Sequence, residues 1–116
     1  MNKQRFIYKY RDTVRLVQNV IRCVNVTQAD RVGRIYQHAF VEDVFSDQDF
    51  FEAINWYAVK AIRIASERSL RSSRKCEFDG VRFWNSCVIS ITPLLGDHPW
   101  SDVSNLVKVA FREAEK

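Results

Sequence analysis

The sequence is short of residues that interrupt helices, with three glycines and two prolines in 116 positions. Sandwiches and barrels need more turn residues than that, so the scarcity favours helices over strands. Cysteine is also sparse: Cys23, Cys76 and Cys87 are an odd number at irregular spacings. A disulfide framework in a small secreted domain uses an even count, so these thiols are expected to be free and to behave as small apolar residues. There is no Cys-x-x-Cys and no His-x-x-x-His, and only His38 and His98 supply imidazole. A structural zinc site is therefore not expected. The lack of a Gly-rich stretch removes a phosphate-cradling loop, and no cofactor is expected. No apolar run approaches the roughly 18–20 residues of a spanning helix. Met1 to Arg5 leads into a segment with Lys9, Arg11, Asp12 and Arg15, which lacks the apolar stretch of a signal peptide. The expectation is no membrane partner and a cytoplasmic location.

What the chain does have is bulk: 47% apolar residues, including eight Phe, three Trp and four Tyr. That supports a core without disulfides or metal, and the length is that of one domain. The net charge of +4 is segmental. Residues 1–34 hold eight bases against two acids, Glu42, Asp43, Asp47, Asp49 and Glu52 form a run without a base, and residues 60–82 hold seven bases against three acids. The order along the chain is basic, acidic, basic.

Apolar periodicity predicts an all-α bundle of about five helices, at approximately 3–24, 28–44, 47–70, 79–92 and 98–114. In the first, Ile7, Tyr10, Val14, Val17, Ile21 and Val24 step by three and four, with Phe6 and Val20 widening the stripe. Gln4, Arg11, Arg15, Gln18 and Arg22 take the opposite side. Thr27 reads as the cap of the second helix, with Asp30 in the capping-box slot, and Val32, Ile35, Tyr36, Ala39 and Phe40 as its buried set. Gly33 within it suggests close approach by another helix. Ser46 caps the third helix, with Asp47 and Asp49 well placed at its N-terminus. Phe50, Ile54, Tyr57, Ala58, Ala61, Ile62 and Ala65 form its stripe, and Phe51, Val59 and Ile64 spread apolar character so widely that a central position is expected. Residues 68–75 read as an exposed basic loop or fraying helix end.

Two readings compete next. Asp79-Gly80 between Cys76-Glu77-Phe78 and Val81-Arg82-Phe83 is a strong hairpin signal, giving an α+β alternative with a short hairpin around 76–92. Yet Val81, Trp84, Val88, Ile91 and Leu95 also step by three and four, which favours a fourth helix. Pro93 and Gly96 end it. Asp97 and Pro99 open the last helix, which buries Val103, Leu106, Val107, Ala110 and Phe111, with Trp100 stapling its start.

No nucleophile sits in a recognisable local frame, and the first expectation is a non-enzymatic protein that binds another protein. It would be an adaptor, complex subunit or inhibitor of the kind a phage or other mobile element encodes. Trp56 carries that reading. On a helical wheel it groups with Glu52, Lys60 and Arg63, away from the buried stripe, and Trp with Arg dominates binding hot spots. Tyr8 likewise lies off its helix's buried stripe. A second copy of the chain is a further candidate partner, basic stripe against acidic run. The alternative is a nucleic-acid-binding helical domain. It would use Arg11, Arg15 and Arg22 on the first helix, with Arg68, Arg71, Arg74 and Lys75 at the end of the third; Arg31 and Arg34 add charge on the second. Arg31 and His38, with six residues between them, resemble the Arg-x4–6-His spacing of the HEPN helical ribonucleases. That resemblance covers two residues and implies His38 as base for an RNA 2′-hydroxyl, with Arg31 bracing the phosphate. Val32 stands where that family has a polar residue, so a solvated helix face is the first reading of the pair.

Overall fold

A computed structural model describes residues 2–40 and 46–95. Asn2 starts α1 (Lys3–Arg22) by accepting a hydrogen bond from the Arg5 N–H at 2.9 Å. The expected stripe is buried: Phe6, Ile7, Val14, Val17, Val20 and Ile21 all lie in the core. Tyr10 leaves helical geometry (φ −115°, ψ 24°), so α1 is kinked there. The helix ends two residues before the expected limit, at the Cys23 cap, and Val24 is 59% exposed rather than buried.

α2 (Val26–His38) begins earlier than the sequence suggests, because the cap is Asn25 and not Thr27. The Asn25 side chain accepts from the Gln28 N–H at 3.0 Å, and Asn is as good a cap as Asp or Ser and better than Thr. Asp30 is consequently no capping-box acid; it faces Arg22 at 3.9 Å across an exposed ion pair. α2 also stops short of residue 44, with Ala39 as its C-cap. Phe40, expected to be buried, is 42% exposed and leans edge-on against Tyr8 (5.6 Å between centroids). Gly33 does serve close approach. Gln18, read as an outer-face residue, crosses from α1 to donate to the Ala29 carbonyl at 3.1 Å. A Cβ on Gly33 would lie 2.8 Å from its Nε2.

α3 (Asp47–Arg74) is capped by Ser46, whose hydroxyl accepts from the Asp49 N–H at 3.1 Å, with Asp47 and Asp49 in the first turn as expected. It packs against α1, α2, α4 and the short final turn, and so holds the central place its broad apolar surface implies. It is also longer than expected. Residues 68–74 are neither loop nor frayed end, because Ser69 and Ser72 are buried against α4. Serine there acts as a small spacer: Ser69 Oγ donates to Asn85 Oδ1 at 2.6 Å.

No hairpin forms at Asp79-Gly80. Both residues lie in the first turn of α4 (Phe78–Ile91), so the helical reading holds and the α+β alternative does not. The chain reverses one step earlier, through a paired hydrogen-bond cap in which the Glu77 N–H reaches the Ser72 carbonyl (2.9 Å) and the Cys76 N–H that of Ser73 (3.1 Å). Cys76 takes the left-handed conformation there, at φ 56°. Glycine occupies such a position without the steric cost of a Cβ. Cys76→Gly is therefore expected to stabilise the fold by about 1 kcal/mol, raising Tm by about 4 °C in a thermal melt. An unchanged or lower Tm would show that the cap tolerates Cys76 without strain.

Thr92 Oγ1 bonds back to the Val88 carbonyl at 2.7 Å, and a turn of 3-10 helix (Thr92–Leu94) closes the described part with Leu94 and Leu95 buried. Four α-helices and this turn, without a strand among the described residues, make an all-helical bundle. The expected fifth helix and Trp100 lie outside the described residues. No described helix is long and apolar enough to cross a membrane.

Candidate protein-binding face

The central helix can be buried on three sides and still present a fourth. On α3 the positions 49, 52, 53, 56, 59, 60, 63 and 67 recur every three or four residues, which aligns them on one stripe. Asp49, Glu52, Trp56, Arg63 and Glu67 on it are exposed, and Ala53, Val59 and Lys60 are half-buried.

Trp56 is 55% exposed, yet it is not loose. Its ring meets the buried Tyr57 ring edge-on at 4.9 Å and 90°. Lys60 Nζ lies over the ring, 5.2 Å from the indole centroid, within range for a cation–π contact. Beside the indole is a groove of about 440 Å³, lined among the described residues by Trp56, Val59, Lys60, Arg63, Ile64 and Glu67. Its floor is apolar, from Val59 and Ile64, and its rim carries both signs of charge. Arg63 makes no ion pair among the described residues, even with Glu67 one turn on. Glu52 accepts a long hydrogen bond from Gln48 Nε2, at 3.4 Å.

The structure thus brings together four of the five residues read as protein-binding: Glu52, Trp56, Lys60 and Arg63. The fifth, Tyr8, is 74% exposed on α1 and belongs to a different aromatic group, with Phe40 and Tyr36. Val59, Ile64 and Glu67 line the groove although the sequence pattern does not single them out. The apolar stripe places Val59 and Ile64 in the core, and both do pack partly inward.

The cations of the alternative reading divide. Arg11, Arg15 and Arg22 are exposed on α1, with Arg22 facing Asp30. Arg71 and Lys75 are exposed at the end of α3, as is Arg74. Arg68, by contrast, holds helices together. Its guanidinium lies 5.4 Å over the Trp84 ring and donates to the Cys23 carbonyl at 3.4 Å. That ties α3 to α4 and to the α1–α2 turn. Of the acidic run, Asp47, Asp49 and Glu52 are exposed on the first turns of α3; residues 42 and 43 lie outside the described part.

Arg31 and His38 sit two turns apart on α2 and are not among the described residues that line the groove. Among the described residues no group of three His, Cys, Asp or Glu side chains is placed to hold a metal. Cys23 and Cys76 are exposed and Cys87 is buried. Burial, and secondarily the charge of Cys23, pushes the Cys87 thiol above its ordinary pKa, so it stays protonated and unreactive at neutral pH. No family model, curated protein or solved structure matches this chain.

Proposed function

We propose that the chain is a non-enzymatic binding module, a cytoplasmic adaptor, subunit or inhibitor, that docks a protein onto the outer face of α3. One observation carries this reading: an indole more than half exposed, yet fixed by Tyr57 beneath it and Lys60 above it, at the edge of an apolar-floored groove. A preordered aromatic anchor loses little conformational freedom on binding, and Trp beside Arg is the composition of interface hot spots. Affinity capture with the wild-type chain, Trp56→Ala and Arg63→Glu tests it. Trp56→Ala is expected to weaken retention of the partner by about 30-fold or more, the loss typical of a hot spot. Because the side chain is 55% exposed and gives up an edge contact with Tyr57, the fold should lose only about 1 kcal/mol and stay fully folded at the temperature of the assay. Equal recovery of every partner by all three proteins would count against this face.

A second reading has one observation in its favour. Arg71, Arg74 and Lys75 form no ion pair among the described residues, and the exposed rings of Phe78 and Phe83 follow directly on α4. Cations interleaved with exposed aromatics suit single-stranded nucleic acid. Gel shifts with single strands, duplex and RNA at two salt concentrations separate this reading from the first, since phosphate binding must weaken steeply with salt.

A further inference from the structure

Between Asp49 and Arg63 the charges on the α3 stripe are antisymmetric about Trp56; Glu67 lies one turn beyond that span. Four residues before it stands Glu52 and four after it Lys60, while seven before it stands Asp49 and seven after it Arg63. Three residues to either side are Ala53 and Val59, both apolar and half-buried. None of the four charged groups has an ion-pair partner among the described residues. Such a pattern is self-complementary under one operation only, a two-fold axis through Trp56 perpendicular to the helix. A parallel pairing would set acid against acid and base against base.

We infer that the partner of this face is a second copy of the chain, docked with the two α3 helices antiparallel and the two Trp56 rings at the axis. Asp49 of each copy then faces Arg63 of the other, Glu52 faces Lys60, and Ala53 packs against Val59. An isologous contact uses one patch twice, so every favourable pair counts double. The stripe from Asp49 to Arg63 spans about 21 Å at 1.5 Å per residue, short enough for helices crossing at about 20° to stay in register. The indoles fill the grooves beside them. With one helix face per copy, the interface falls short of the area of a standard complex, about 800 Å² per partner. The dimer therefore dissociates on dilution, and its rim charges make it sensitive to salt.

This inference rests on α3 being the docking face, and the experiment keeps the two apart. Sedimentation of the full chain over a concentration series, at low and high salt, is expected to show a monomer–dimer equilibrium that shifts to monomer with salt. Arg63→Asp and Asp49→Arg each place like charges at both symmetry-related contacts. Each should raise the dimer Kd about ten- to thirty-fold. Mixing the two variants equimolar should restore dimer near the wild-type level. One variant then carries acids at both positions 49 and 63 and the other carries bases at both, so each contact in the mixed dimer joins opposite charges. The pair Glu52→Lys and Lys60→Glu should behave in the same way, which covers any helix-end effect of changing Asp49; Tm values confirm that all four variants fold. A wild-type chain that stays monomeric at low salt overturns the self-pairing, as does a dimer indifferent to both reversals or one that mixing fails to restore. If in that case Trp56→Ala still loses a protein partner, the docking face survives and only the second copy is wrong. If Trp56→Ala loses none, both readings fall.

Discussion

Phe50→Ala is expected to cost about 3–5 kcal/mol and to leave the chain near its unfolding threshold. Phe50 is fully buried at the start of α3, where it joins the central helix to α1. Its ring meets Phe6 edge-on at 6.2 Å and Phe51 at 5.7 Å, while Phe6 in turn meets Phe51 at 5.1 Å and Tyr10 at 4.8 Å. Deleting the ring removes the shared neighbour of Phe6 and Phe51 and leaves a cavity that helices held by other contacts cannot collapse into. Edge-to-face pairs add about 0.5–1.5 kcal/mol each beyond buried area. A domain of this size has only about 5–15 kcal/mol of stability in total, so a urea titration should show a large drop in midpoint with an unchanged slope. Phe83→Ala supplies the contrast. That ring is 57% exposed on α4 and keeps an edge contact with Trp84 at 4.8 Å, so its removal should cost about 1 kcal/mol. Equal costs for the two substitutions would mean that the aromatic junction at Phe50 is not what joins α1 to α3.

Much of this is legible in the sequence where one force acts alone. Ile7, Val14, Val17 and Ile21 share a stripe because burial is set by helical period and nothing else. Ser46 followed by Asp47 and Asp49 marks a helix start because cap and dipole agree. Trp56 is legible as off the core for the same reason, its angle on the wheel. The misses fall where two forces compete. Asn25 and Thr27 both offer a cap, and the choice turns on where α2 packs on α1, including the Gln18 bond to Ala29 that no local rule contains. The serines at 69 and 72 read as linker because serine is usually solvated; only the proximity of α4 makes small size matter more than polarity. Arg68 reads as surface charge, but the Trp84 ring and the Cys23 carbonyl that hold it are 16 and 45 residues away in sequence. The charge antisymmetry about Trp56 is a property of the sequence alone. That it lies on a face left open by α1, α2 and α4 depends on how those helices pack.

The α3–α4 contact yields the second large effect, at Gly80. Sequence patterns make this glycine a turn residue, yet its φ is not positive and it lies inside a helix, so backbone freedom is not what the position requires. Space is. A Cβ on Gly80 would lie 2.6 Å from Ser72 Oγ and 3.1 Å from Ser72 Cβ, and Ser72 is itself buried in the helix that carries it. Gly80→Leu is therefore expected to destabilise the fold by about 1–3 kcal/mol through overpacking, where a better helix former at an open site would contribute about 1 kcal/mol of stability. Pushing α4 outward would also stretch the 2.6 Å bond from the buried Ser69 hydroxyl to Asn85, weakening a buried hydrogen bond. Asp79→Leu, one residue earlier and exposed, should change stability by no more than about 0.5 kcal/mol. The cause can be isolated with Gly80→Ala measured in the wild-type and Ser72→Ala backgrounds. Removing the Ser72 hydroxyl relieves the shorter of the two contacts, so the penalty should shrink by roughly 1 kcal/mol, a non-additivity expected only of residues in direct contact. Identical penalties in both backgrounds would show that Ser72 does not set the distance between α3 and α4.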